Sequence, residues 1–109
     1  MDLTSLDALA TARAVRSGEV SAVEVARAHL ERAERLQPVL GAFARLTPGR
    51  ALAEAGRIDA ELARGEAPPE SAAPLLGVPC PIKDLNPVAG VGHEAGSAAL
   101  MGNVAEVDD

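Results

Sequence analysis

A chain of 109 residues makes one domain at most and buries only about two thirds of its unfolded surface. Apolar residues are 48% of it but Phe43 is the sole aromatic, so alanine, valine and leucine must fill the core, which points to a piece of a larger domain, an alanine-rich helical bundle being the alternative. A net charge of −6 with no cluster of Lys and Arg argues against a nucleic-acid surface, and a single cysteine, Cys80, excludes an internal disulfide.

The opening stretch, "MDLTSLDALATARAV", has neither the basic start nor the continuous apolar run of a secretory signal. No 18-residue apolar run follows. The expected protein is soluble and cytoplasmic. The first helix is predicted over residues 5–17: Thr4 with Asp7 resembles a capping box, Leu6, Leu9 or Ala10, and Ala14 recur at helical spacing, and Gly18 follows as a stop.

The second helix carries the stronger signal. Ser21 is an N-cap with Glu24 three residues on, and Val20 is placed to staple against Val25. Val23, Ala26, Leu30 and Ala33 make an apolar stripe opposite Arg27, Glu31, Glu34 and Arg35, whose charges read as a solvated face. His29 lies beside the stripe as a partly covered structural residue. Pro38 is expected to end the helix, because it has no amide proton to continue it.

"VLGAFARLT", residues 39–47, is short and partly alternating, and reads as a strand with Leu40, Ala42, Ala44 and Leu46 on one face. Thr47 and Pro48 then open a third helix as N-cap and first residue. Leu52, Ala55, Ile58 and Leu62 form its apolar stripe, and Gly65 closes it. "EAPPESAAP" is a proline-rich connecting loop.

Beyond the loop, "LLGVPCPIKD" is apolar and extended, a strand whose Pro79 and Pro81 leave two gaps in any ladder. The following "LNPVAGVGHEAGSAALMGN" reads as a long ordered loop of the functional kind. "VAEVDD" ends the sequence with no closing element, as in a fold cut midway.

Lys83 is the one lysine among nine arginines. At the end of a buried strand an amine can be desolvated until its neutral form serves as a base, which a guanidinium cannot do. A solvated strand-end lysine is the plainer alternative. Asp84 beside it would oppose that use unless it points away, and it reads as a cap of the following turn. Cys80 with His93 could be a thiol and its base, but a cysteine between two prolines in an apolar run reads as a small buried hydrophobe. "GVGHEA" fits a dinucleotide fingerprint only on paper, since no clear strand precedes it and no long helix follows. His29 and His93 are too far apart in sequence to suggest a structural zinc site with Cys80.

"PLLGVPCPIKDLNPVAGVGHEAGSAAL", residues 74–100, resembles the amidase-signature family, whose members carry G-V/I-P-x-x-x-K-D followed by a glycine-containing loop ending A-G-S. The first half is similar too, with paired helices, a G-A-F stretch and a further helix in the same order. The resemblance covers essentially the whole chain.

It implies an α/β class, the N-terminal part of an α/β/α fold with three helices, short strands and an incomplete mixed sheet. Residues 1–109 would be the N-terminal segment of one amidase domain, the rest of that domain absent. It further implies a carbon–nitrogen hydrolase working through a serine acyl-enzyme, with Lys83 as the lysine of a Ser-cisSer-Lys triad and no metal or organic cofactor. Nothing like G-G-S-S-G-G occurs in the sequence, and Ser97, in the A-G-S loop, does not correspond to the nucleophile. The chain alone is therefore expected to be inactive. The substrate would be a small carboxamide, with no direct nucleic-acid or membrane contact. Two alternatives stay open: an amidotransferase subunit whose glutaminase step feeds ammonia to aminoacyl-tRNA, and a non-catalytic helical module that forms a homodimer through the Val23 and Leu30 stripe.

Overall fold

A computed structural model of the chain describes residues 2–84, 86, 88–92 and 102–108. It divides into two compact units, Met1–Pro79 and Cys80–Asp109. The first holds a short 3-10 turn at Leu3–Ser5 and three helices: α1 (Ala8–Ser17), α2 (Ala22–Leu40) and α3 (Pro48–Ala63).

The first two helix starts are set by local side-chain chemistry. Asp2 caps the 3-10 turn through the amide of Thr4, and Asp7 caps α1 through the amide of Ala10 at 2.8 Å. Residues 5–7, expected to be helical, are therefore outside α1: each acidic side chain takes its own amide, and Thr4 is held by Asp2 instead of capping. Gly18 closes α1 in the left-handed conformation, φ 78°, as expected.

At α2 the capping box of Ser21 and Glu24 forms in both directions. Val20 and Val25 are both buried, as the staple requires. Pro38 does not end the helix. It sits close to the C-terminus, where its missing amide loses one bond to Glu34, and the helix runs on to Leu40 before Gly41 turns it at φ 57°.

The core of this unit is made of small residues: Ala14, Val15, Val20, Ala22, Val25, Ala26 and Ala55 are buried, with Leu3, Val23, Leu52, Ile58 and Leu62 packed around them. Val15 and Val25 are the largest fully buried side chains, each contributing about 1.5–3 kcal/mol. The buried part of α2 is its first turn and a half, and Leu30 and Ala33 of the expected stripe are only half-buried.

Neither expected strand forms. Val39 and Leu40 are the last residues of α2, and the backbone of Phe43 is satisfied by one side chain: its amide donates to Gln37 Oε1 at 3.0 Å and its carbonyl accepts from Gln37 Nε2. Residues 78–83 have no ladder, since Pro79 and Pro81 donate nothing and the amide of Val78 turns back to Leu75. Among the described residues the sole strand-like pairing is an antiparallel bridge between Gly92 and Val104, within the second unit.

Around that bridge the second unit is joined by further bonds. Gly90 donates to the carbonyl of Ala105 at 2.9 Å, Ala105 donates to Val91 at 3.0 Å, and Ala89 donates to Asp108 Oδ1 at 2.8 Å, with Ala105 buried. The expected features at His93, Ser97 and most of the A-G-S loop lie outside the described residues. Among the described residues, no helix is long and apolar enough to cross a membrane.

Candidate functional site

Two anchors on α1 hold the loop that leads toward Lys83. Val15 faces Gly77, whose φ of 82° only glycine adopts easily, and a Cβ there would lie 2.9 Å from Val15 Cγ1. The next residue, Arg16, reaches the loop itself: Nη1 donates to the carbonyl of Pro68 at 2.8 Å and Nη2 to that of Ala73 at 2.6 Å. Within the loop, the amides of Ala72 and Ala73 return to Pro69, and that of Leu76 returns to Ala73.

In the second unit, Lys83 lies on irregular backbone, and its carbonyl accepts the amide of Asn86 at 2.9 Å to form a turn. Its side chain is exposed, as is Ile82 before it at 57%. The expectation of a lysine at the end of a buried strand is corrected: no strand forms at Lys83, and among the described residues nothing apolar encloses the amine. Asp84 is half-buried at the turn.

Cys80 is free and exposed rather than a buried hydrophobe, with Sγ 3.8 Å from the carbonyl of Pro81. Both flanking prolines keep the backbone extended, which turns the thiol outward. Among the described residues no group of three or more His, Cys, Asp and Glu side chains gathers as a metal site would require. His29 is structural as expected, donating Nδ1–H to the carbonyl of Val25 at 2.9 Å.

Two open hollows lie along the outer half of α2. One of about 530 Å³ is bordered by Asp2, Thr4, Glu31 and Arg35, and a smaller apolar one of about 220 Å³ by Leu36, Leu40 and Phe43. Among the described residues, the titration clearly displaced from its ordinary value is that of Asp2, lowered chiefly by the hydrogen bond from the Thr4 hydroxyl and then by the Thr4 amide. None of this forms a reaction centre around an amine or thiol.

Reading along the sequence misses Arg16 and Asp59. Their partners are 52 and 57 residues away for Arg16 and 36 and 37 for Asp59, so no local spacing announces them. Arg16 falls into a general bias toward arginine, and Asp59 into the polar face of α3.

Comparison with known proteins gives a consistent assignment. The family described as Amidase matches residues 24–109. The A subunit of a glutamyl-tRNA(Gln) amidotransferase from Gloeobacter violaceus is 51% identical over 86 residues, 79% of this chain and 17% of that protein. The subunit of the same name from Rhodococcus erythropolis is 38% identical over 107 residues, 98% of this chain and 21% of that protein. A solved chain from an inhibitor-bound complex, described as revealing the evolutionary origins of an s-triazine catabolic enzyme, superposes with a TM-score of 0.86 at 33% identity, covering 94% of this chain and 22% of its own. The chain thus spans about a fifth of the length of the curated relatives it matches.

Proposed function

Since the chain belongs to the amidase family and forms the mostly helical N-terminal part of its α/β fold, we propose that it supplies Lys83 as the base of a Ser-cisSer-Lys centre that cleaves an amide. The observation that carries this reading is the stretch Gly77-Val-Pro-Cys-Pro-Ile-Lys83-Asp84, standing in family order behind three helices and inside the matched span.

The two serines correspond to no residue of these 109 and would come from a further part of the domain. In the proposed step, the nucleophilic serine attacks the amide carbonyl while its proton passes through the bridging serine to the neutral Nζ of Lys83. The carbon–nitrogen bond then breaks, the leaving nitrogen takes a proton back along the relay, and water or another nucleophile releases the acyl group. Burial around Lys83 is part of the proposal. The amine is exposed in this chain, so its enclosure would come from the same further part that brings the serines.

Within the family, the relatives' names favour an amidotransferase A-type subunit, whose amide would be glutamine and whose ammonia would go to an aminoacyl-tRNA held by partner subunits. A second reading, hydrolysis of a free small amide, is kept because the chain superposes on a complex whose description names a small-molecule (s-triazine) catabolic enzyme and not a tRNA. Both use Lys83 alike.

The test is a chimera in which this chain replaces the matched stretch of the Rhodococcus erythropolis protein. Lys83→Ala should lower turnover by about 10²–10⁴-fold, the range of a lost general base. Lys83→Arg should fail as well, because it keeps the charge and gives up the accessible neutral state. Turnover retained by either would remove Lys83 from the mechanism. Glutamine accepted in preference to simple amides would select the amidotransferase reading, and the reverse the hydrolase.

A further inference from the structure

We propose that Asp108 is a positioning residue for Lys83, its carboxylate pinning the chain just after the lysine within the same compact unit, Cys80–Asp109. The inference rests on the role given to Lys83 above.

Before the lysine, this unit has little to hold it. Residues 80–83 form no helix or ladder, and Ile82 and Lys83 are both exposed. Order begins on the other side. The amide of Asn86 donates to the carbonyl of Lys83 at 2.9 Å, and the amide of Val91 to that of Val88 at 3.0 Å, so two turns follow one another with a single residue between them.

The second turn is the seated one. Such a turn closes through its outer residues and leaves its two central amides to find acceptors elsewhere. Both are taken up from later in the chain: Ala89 donates to Asp108 Oδ1 at 2.8 Å and Gly90 to the carbonyl of Ala105 at 2.9 Å. The amide of buried Ala105 returns to the carbonyl of Val91 at 3.0 Å, and Gly92 pairs with Val104. Gly90 sits at φ 76°, the value that the third position of a type II turn requires.

The bonds through Ala105 join backbone to backbone, and most residues there would make them. The bond to Ala89 comes from a side chain, so Asp108 is where the sequence sets how firmly the turn is seated. Ala89 follows Asn86 by three residues, a reach of about 10 Å at full extension. The turn that carries Lys83 is therefore joined by a short length of chain to a seat that Asp108 completes.

A base works only within hydrogen-bond reach of the proton it takes, and a misplacement of about 1 Å can lower turnover by about 10²-fold. Freeing Ala89 would loosen the lysine turn without removing any group that touches a substrate.

Two measurements test this together. In the 109-residue chain, Asp108→Ala should lower the backbone NMR order parameters of Lys83, Asn86 and Ala89 from about 0.85 toward about 0.6, leaving α2 and α3 unchanged. Asp108→Asn keeps an acceptor in place and should hold them. In the chimera, Asp108→Ala should lower kcat per titrated active site by about tenfold or more at a KM within about twofold, with Asp108→Asn recovering most of it. Gly90→Ala should lower kcat likewise while leaving Asp108 in place. Among the described residues its added Cβ would meet no atom within 4 Å, so the change strains the backbone of the turn alone.

Order parameters that do not fall in Asp108→Ala overturn the pin. A fall with kcat unaltered overturns the positioning role, and so does a loss of kcat that Asp108→Asn leaves unrecovered, since the acceptor would then not be what counts. A KM that moves as far as kcat overturns it as well, because Asp108 would be shaping binding rather than placing the base. Gly90→Ala without effect on kcat would show that the seat does not reach the lysine, and overturns it too. Lys83→Ala, run alongside, separates the two ideas: if it keeps turnover, the lysine's role fails on its own and carries the positioning role with it, whatever Asp108 does.

Discussion

Asp59 of α3 accepts the amide of Ala22 at 2.7 Å on Oδ1, so the first turn of α2 is capped from a different helix. Its other oxygen takes the amide of Val23 at 3.1 Å. Together with the Ser21 and Glu24 box, this pairs the start of α2 at a place where Ala22 is completely buried. The carboxylate also faces the positive end of the helix dipole. Asp59→Ala should cost about 1–3 kcal/mol, since it strands two amides at the edge of the core. Asp59→Asn, which keeps an acceptor and loses the charge, should cost less. Guanidinium denaturation read by circular dichroism distinguishes them, and equal stability of all three proteins would show that α2 does not depend on this contact.

Gly77→Ala should destabilise the first unit by about 1–3 kcal/mol for two separable reasons. The residue sits at φ 82°, and its new methyl would meet Val15 Cγ1 at 2.9 Å and Cγ2 at 3.2 Å. Val15→Ala removes the two closest approaches, leaving Cβ at 3.3 Å, and does not touch the backbone strain. A double-mutant cycle should therefore show the pair less damaging than the sum of the singles, with a coupling of about 0.5–3 kcal/mol. Strict additivity would place the whole cost in the backbone.

The parts of the fold legible in the sequence are those whose causes are local. The α2 start follows from Ser21 and Glu24, three residues apart, and α1 and α3 end near the glycines that allow a reversal. The start of α1 falls later than the spacing predicts because two acidic residues, Asp2 and Asp7, compete as caps and each takes an amide. Alternating apolar residues suggest strands, but a strand needs a partner, and Phe43 finds its hydrogen bonds in the side chain of Gln37. At the candidate site, sequence order singles out Lys83. Its surroundings are not legible, because exposure is a property of what packs nearby and not of the K-D stretch itself.

Pro38→Ala should stabilise α2. The proline lies inside the helix and is exposed, withholding one backbone bond and carrying an intrinsic penalty of about 3 kcal/mol against alanine. Against that, a proline restricts the unfolded chain, an advantage of about 0.4–1 kcal/mol that alanine gives up. A net gain of about 2–2.6 kcal/mol is expected, with more ellipticity at the helical minimum. A loss would mean that the backbone imposed by Pro38 is needed to seat Phe43 against Gln37.

The amino-terminal turn should respond to acid in a stated direction. Hydrogen bonds from the Thr4 hydroxyl and amide favour the ionised form of Asp2 and hold its pKa below the ordinary aspartate value. A depressed folded pKa gives stability that is present above the unfolded value and disappears as pH falls through the folded one. The amide resonance of Thr4 should therefore shift with a midpoint below that of a free aspartate, and Asp2→Asn should abolish the shift. A midpoint at or above the ordinary value would remove the bonds to Thr4 as its cause.

Lys83 makes its own environment measurable, because it is the only lysine in the sequence. An acylating reagent should modify the 109-residue chain rapidly at this exposed amine, apart from any reaction at the amino terminus. In the chimera with the rest of an amidase domain, the pH midpoint of that modification should move down, because a base that works as a neutral amine must be withdrawn from solvent, which favours its uncharged, reactive form. Equal midpoints in the two proteins would leave Lys83 as solvated there as here, a setting in which a guanidinium would serve equally well. The choice of an amine at this one position would then have no chemical reason, and the triad role would fall with it.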